Sequence, residues 1–163
     1  MRRAILLLVL VSTTASAQLP GLRRRDPDPP RPPTVAAPIL LGIDALRAEF
    51  VAQSGSDKVY FGGDSSVLTP QARATLAAQA QWLRRHPELV VRIEGHADGS
   101  DTRDHALAVA ARRAEEVRDY LVLLGVPAAQ LSTVSWGKER IAVMGTSPDA
   151  LALNRRAVTV LVR

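Results

Sequence analysis

The chain has no cysteine. No disulfide can staple it, no thiolate can hold zinc or an iron–sulfur cluster, and no thiol nucleophile is available, so the fold stands on packing alone. Aromatic residues are scarce, with two Trp, two Tyr and two Phe in 163 residues. Ala, Val and Leu therefore have to fill the core, and no basic patch is interleaved with rings on which nucleic-acid bases could stack. No apolar run reaches the ~20 residues a membrane helix needs. Ser100 and Ser135 lie outside any G-x-S-x-G turn, and there is no glycine loop to cradle phosphate, which removes the usual signatures of an acyl-transfer or nucleotide enzyme. The formal net charge of +5 is mild and does not point to nucleic acid.

What is present begins with a legible N-terminus. Arg2 and Arg3 precede an apolar run, Ala4–Val11, and the small residues Ala15-Ser16-Ala17 follow. This is the pattern of a secretory signal, expected over residues 1–17, with cleavage after Ala17. Residues 18–38 then hold seven of the eleven prolines together with Arg23, Arg24 and Arg25. Such a composition cannot bury a core and favours an extended tether reaching on the order of 60 Å. A lipoprotein carries its lipid on an N-terminal cysteine, so a chain without cysteine is expected to have no lipid anchor.

Residues 39–163 carry the periodicities of a folded domain. Ile43–Val51 fits either a short helix or an edge strand, and Lys58–Phe61 reads as a strand stopped by Gly62-Gly63. Thr69-Pro70 and Ser147-Pro148 each place a hydroxyl cap before a proline at the first helical position. Ala72, Leu76, Ala80 and Leu83 share a helical face, as do Ala110, Ala114, Val117, Leu121 and Leu124 in a longer helix from about Arg103 to Leu124. Alternation at Leu89, Val91 and Ile93, the run Leu131–Trp136, and alternation at Val158, Val160 and Val162 indicate three more strands. The order β-α-β-α-β-α-β predicts an α/β (α+β) sandwich with helices packed on one mixed sheet.

One constellation of charge stands out. Asp98 follows a strand end, where loops and ligands gather. Arg113 sits on the flank of the buried stripe of the following helix and can reach inward, whereas Arg112 faces water and can pair with Glu116. Two readings of Asp98 and Arg113 stand side by side: an internal salt bridge that fixes the loop, or two groups flanking an opening that holds a zwitterion, aspartate taking the ammonium and arginine the carboxylate. A rival of another class is metal chemistry, because His96, Asp98, Asp101, Asp104 and His105 crowd into ten residues. Their spacing matches no established ligand pattern, so no metal is expected; His96 reads as a loop-fixing hydrogen bonder and His105 as an exposed first-turn residue. Trp82 and Trp136 read as packing residues.

The stretches "VYFGGDSSVLTPQARATLAAQAQWLRRHPELVVRIEGHAD", "ARRAEEVRDYLVLLGV", "VSWGKER" and "NRRAVTVLV" resemble the OmpA-like C-terminal domain. The "GHAD" and "SWGKERIAV" wording is most similar to the peptidoglycan-associated lipoprotein (Pal) branch of that family. The resemblance implies a non-catalytic module that binds the diaminopimelate of peptidoglycan stem peptides and needs no cofactor. It implies ligand-binding roles for Asp98 and Arg113, a border formed by Arg155 or Arg156, and neighbouring places for His96 and Ala97. Three positions depart from the family pattern: Ala106 stands where asparagine is usual, Asp101 where glycine is usual, and Gly62 where aspartate is frequent. The partners implied are peptidoglycan and envelope proteins, with no nucleic acid, in an exported, periplasmic, wall-associated chain at the outer membrane. The alternatives are a structural component of a trans-envelope (Tol-Pal-like) complex and, from another class, a metal-dependent hydrolase.

Overall fold

The computed structural model describes residues 36–162, with side-chain surroundings from Gly42 onward. The signal segment and most of the tether, residues 1–35, lie outside the described residues. The elements are α1 (Ala36–Ser54), β1 (Lys58–Tyr60), α2 (Pro70–Leu83), β2 (Val91–Gly95), α3 (Arg103–Leu123), a single 3-10 turn (Ala128–Gln130), β3 (Leu131–Ser135), α4 (Pro148–Asn154) and β4 (Arg156–Leu161). Residues 36–38, assigned above to the tether, belong to α1, and the segment read as helix or strand is helix. No helix of the described residues is long and apolar enough to cross a membrane.

Local chemistry sets the helix starts. Thr69, Thr102 and Ser147 are extended N-caps whose hydroxyls accept from the backbone N–H of Ala72, His105 and Ala150. Each satisfies a donor that the first helical turn leaves orphaned. Pro70 and Pro148 occupy first-turn positions where a missing N–H costs nothing. Gly125 closes α3 at a φ of 89°, the left-handed turn that favours glycine.

The four strands form one mixed sheet in the order β1-β4-β2-β3. β4 runs antiparallel to both β1 and β2, while β2 and β3 are parallel. The C-terminal ends of β1, β2 and β3 and the N-terminal start of β4 therefore lie at the same edge, and their loops meet there. Val91, Ile93 and Gly95 face the helices, as do their cross-strand partners Leu161, Thr159 and Ala157. Leu76, Leu83, Val91, Ile93 and Leu121 are fully buried between the layers, each contributing about 1.5–3 kcal/mol. Trp82 is buried against Phe50 and donates its indole N–H to Glu49 Oε1 at 3.2 Å, a packing role.

The valines of β4 are not its core face. Ala157, Thr159 and Leu161 are buried toward the helices; Val158 and Val160 lie half-buried on the other face and Val162 is exposed. Thr159 is tolerated inside because its hydroxyl donates to Gln79 Oε1 at 2.8 Å. Register with β2, which sequence alternation does not contain, decides which face is covered.

Gly95 fixes how closely α3 approaches the sheet. A Cβ at this position would lie 1.9 Å from the Ala110 carbonyl oxygen, so only glycine lets the helix backbone sit on the strand end. That contact brings the first turns of α3 over the loop that follows β2.

Candidate functional site

The loops at the shared strand edge form a recess of ≈ 170 Å³ lined by residues that include Asp64, Asp98, His105, Ala106, Arg113 and Arg155. It is too narrow to admit a water-sized sphere. Asp98 lines it and is 6% exposed. Oδ1 of Asp98 accepts from the backbone N–H of Ser100 at 3.1 Å and from its hydroxyl at 2.5 Å, an Asx-type turn. Oδ2 accepts from Arg155 Nη1 at 2.9 Å. Burial pushes the carboxyl up, but the Ser100 hydroxyl and amide and the Arg155 guanidinium outweigh it and leave Asp98 below its ordinary value. It is a carboxylate at neutral pH.

Arg113 does not pair directly with Asp98. It projects from the middle of α3 into the loops and is 1% exposed. Nε donates to the Ser65 carbonyl at 3.0 Å, Nη1 to the His96 carbonyl at 2.9 Å, and Nη2 to the Gly63 carbonyl. Its guanidinium lies 5.3 Å from the centre of the Phe61 ring, within cation–π range. Burial lowers its pKa, Asp98 and Asp64 oppose that effect, and Arg155 adds to it. The charge is thus held by carbonyl dipoles and nearby acids without a direct ion pair.

The two arginines of the "NRR" stretch part company. Arg155, the C-cap of α4, turns into the recess, pairing with Asp98 and reaching the Phe61 carbonyl through Nε at 3.3 Å. Arg156, named above as a candidate for the same border, begins β4 and points to the opposite face of the sheet, where it donates to the carbonyls of Arg140 and Asn154. The reason is the pleat: successive side chains at a strand start leave on opposite sides. Ala97 lines the recess and anchors it by donating its N–H to the Gly137 carbonyl at 2.8 Å.

His96 contributes its carbonyl to Arg113, but its imidazole lies away from the recess. It is buried on the opposite face, 3.9 Å from Glu94 Oε2 and near Arg156. Its ring lies beside the Arg140 backbone, in the loop after β3, and not in the recess. Burial, reinforced by Arg156, pushes its pKa down to about 4, with Glu94 opposing. Arg112 is exposed and makes no ion pair with Glu116 among the described residues. Trp136 is half-buried, with the Arg140 guanidinium 3.5 Å from its ring centre.

Three further residues define the rim. Asp64, Asp101 and His105 each bring one ligand-type atom within 4.8 Å of the others. His105 Nε2 lies 3.6 Å from Asp64 Oδ2 and 4.0 Å from Asp101 Oδ2. These are the groups at the recess that could hold a cation. Only two of the five residues that crowd together in sequence belong to this set; His96, Asp98 and Asp104 do not join it. Sequence reading missed Asp64, Ser65 and Gly63, which come from the loop after β1. The departure Ala106 is buried with Ala97 and Ala110, so a methyl group forms part of the recess wall. A larger groove of ≈ 950 Å³ runs along β1 and α2, lined by Val59, Phe61, Ala72 and Leu153 among others, and contains no opposed charges like those of the recess.

A mixed four-stranded sheet carrying helices, with an aspartate and two arginines gathered at one strand edge, defines the chain's class, an α+β domain. Residues 60–155 match the OmpA family, and the chain belongs to it. Over 133 residues it is 43% identical to the peptidoglycan-associated lipoprotein of Rhizobium meliloti (strain 1021), covering 79% of this chain and 75% of that protein. It is 45% identical over 105 residues to the protein of the same name from Agrobacterium fabrum, covering 64% of this chain and 59% of that one. Among solved structures, the peptidoglycan-associated lipoprotein from Burkholderia pseudomallei superposes with a TM-score of 0.64 at 40% identity, covering 66% of this chain and 92% of that chain. The C-terminal domain of Helicobacter pylori MotB shares the fold, with a TM-score of 0.62 at 21% identity over 66% of this chain and 84% of that one.

Proposed function

We propose that this chain is a non-catalytic envelope protein that binds cell-wall peptidoglycan without forming a covalent bond, gripping the diaminopimelate of stem peptides in the recess around Asp98. The observation that carries this reading is the convergence of Asp98, Arg113 and Arg155 in one recess at the shared strand edge. One carboxylate and two guanidinium groups there carry the charges that complement an ammonium and a carboxylate. A diaminopimelate side chain presents both on one carbon. The names of the similar proteins, peptidoglycan-associated lipoproteins, support the same reading.

Each charge-assisted hydrogen bond to such a headgroup contributes about 1.5–3 kcal/mol before desolvation. Export by the N-terminal signal and reach through the proline-rich segment place the domain at the periplasmic wall, on the outer-membrane side. No nucleophile or general acid–base pair is needed for this role. Sedimentation with purified sacculi tests it. Wild type should pellet with the wall. Asp98→Ala and Arg113→Ala should stay in the supernatant, with far-UV circular dichroism and thermal unfolding checking that each variant is folded. If folded variants of both kinds pellet like wild type, the recess is not the binding site.

A further inference from the structure

We infer that Arg155 determines specificity in the recess by exchanging partners: it holds Asp98 in the structure, yields that place to a ligand ammonium, and turns to the ligand carboxylate. The inference rests on the wall-binding reading above. Both oxygens of Asp98 are already engaged, Oδ1 by Ser100 and Oδ2 by Arg155. The recess has no room for even a water-sized sphere. Oδ2 accepts only the Arg155 bond, but the recess leaves no space beside that guanidinium, so an ammonium takes its place at Oδ2 when Arg155 moves away.

Of the two arginines, Arg155 is the one able to move. Arg113 is 1% exposed and committed through all three nitrogens to carbonyls of two loops. The Arg155 side chain is 19% exposed, and apart from Asp98 it is held only by a long 3.3 Å bond to the Phe61 carbonyl. Once displaced by an ammonium alone, its guanidinium loses its ion pair with Asp98 and stays beside Arg113, a like charge. A ligand that also brings a carboxylate gives the displaced guanidinium a forked acceptor. The exchange is thus favourable for a headgroup carrying both charges and unfavourable for one carrying only the positive charge. Recognition of the carboxylate is built into the breaking of an internal ion pair.

The test is isothermal titration of the full chain, wild type and Arg155→Gln, at neutral pH with two probes. One is a stem tripeptide ending in meso-diaminopimelate; the other is the same tripeptide ending in lysine, which keeps the ammonium and lacks the side-chain carboxylate. Wild type should bind the diaminopimelate peptide at least about tenfold more tightly, the worth of one charge-assisted contact. In Arg155→Gln the diaminopimelate peptide should weaken, and the lysine peptide should bind more tightly than it does to wild type, because Asp98 no longer has an internal partner. The gap should close to about threefold or less. Damage to the fold cannot raise affinity for either peptide. Equal weakening of both, or a preserved tenfold gap, overturns the exchange while leaving the wall-binding reading intact. Wild type binding neither peptide would bring down both.

Discussion

Arg113 and Arg156 are both buried, 1% and 7% exposed, and both lie near the same strand edge on opposite faces of one sheet. On the helix side, Arg113 has Nε, Nη1 and Nη2 all bonded and shares a recess with Asp98, Asp64 and Arg155. On the other side, Arg156 leaves Nε unpartnered, bonds only two carbonyls, and sits near His96 and Glu94. Burial of a charge is common to both places. What separates them is the company: on one face a recess shared with Asp98, Asp64 and Arg155, on the other a buried histidine, Glu94 and two backbone carbonyls. The contrast teaches that burial alone does not tell two arginines apart; the groups around each one do.

The largest blow to this contrast comes from Arg113→Ala. Three carbonyls lose their donor, and the Asp98–Arg155 pair loses the second guanidinium beside it. We expect a loss of ~3–5 kcal/mol in urea unfolding, together with lost wall binding; a change below ~1 kcal/mol would show that the guanidinium does not hold these loops. Next is Gly95→Ala, which forces a Cβ into the Ala110 carbonyl and lifts α3 from the strand end. It should cost up to ~3 kcal/mol, and an unchanged unfolding midpoint would mean the helix is free to shift.

The opposite face gives the pH test. Because His96 has its pKa lowered to about 4 in the folded chain, against an ordinary 6.5, the unfolded chain binds the extra proton between those values. Stability is therefore full above pH 6.5 and falls as the pH drops toward 4, by up to ~3 kcal/mol. His96→Gln should flatten this part of the unfolding-versus-pH curve. The lowered Asp98 carboxyl acts in a separate window, below its ordinary 3.8, where its contribution is lost as the pH falls through the folded value. Smallest of all is Arg156→Met, which removes an imperfectly bonded charge and should change stability by no more than ~1 kcal/mol; a larger loss would make the two faces more alike than the hydrogen bonds indicate.

The parts of the fold that were legible in sequence are those decided locally. Thr69-Pro70 and Ser147-Pro148 announced helix starts because a cap and a first-turn proline act within four residues. The apolar stripe of α3 was readable for the same reason. The face of β4 was not, because valine alternation says which residues share a side and register with β2 decides which side is covered. In the recess, Asp98 and Arg113 could be singled out by a strand end and a helix flank. Their direct pairing could not be tested without the fold: Asp98 binds Arg155, 57 residues away, and Arg113 binds carbonyls up to 50 residues distant. Ser100 had a local signal, two residues after an aspartate as in an Asx turn. Asp64 had none, since only strand pairing brings its loop to the β2 edge. The opposite directions of Arg155 and Arg156 follow from the pleat once the start of β4 is known.

The central claim is that wall affinity resides on the Asp98 face and not on the Arg156 face. The most direct measurement is the fraction of protein retained on purified sacculi across a protein titration, for wild type, Asp98→Asn and Arg156→Met side by side. The account predicts that Asp98→Asn raises the half-saturation concentration by at least about tenfold while Arg156→Met tracks wild type. Asp98→Asn binding like wild type, or Arg156→Met losing retention to the same degree while still folded, would contradict it.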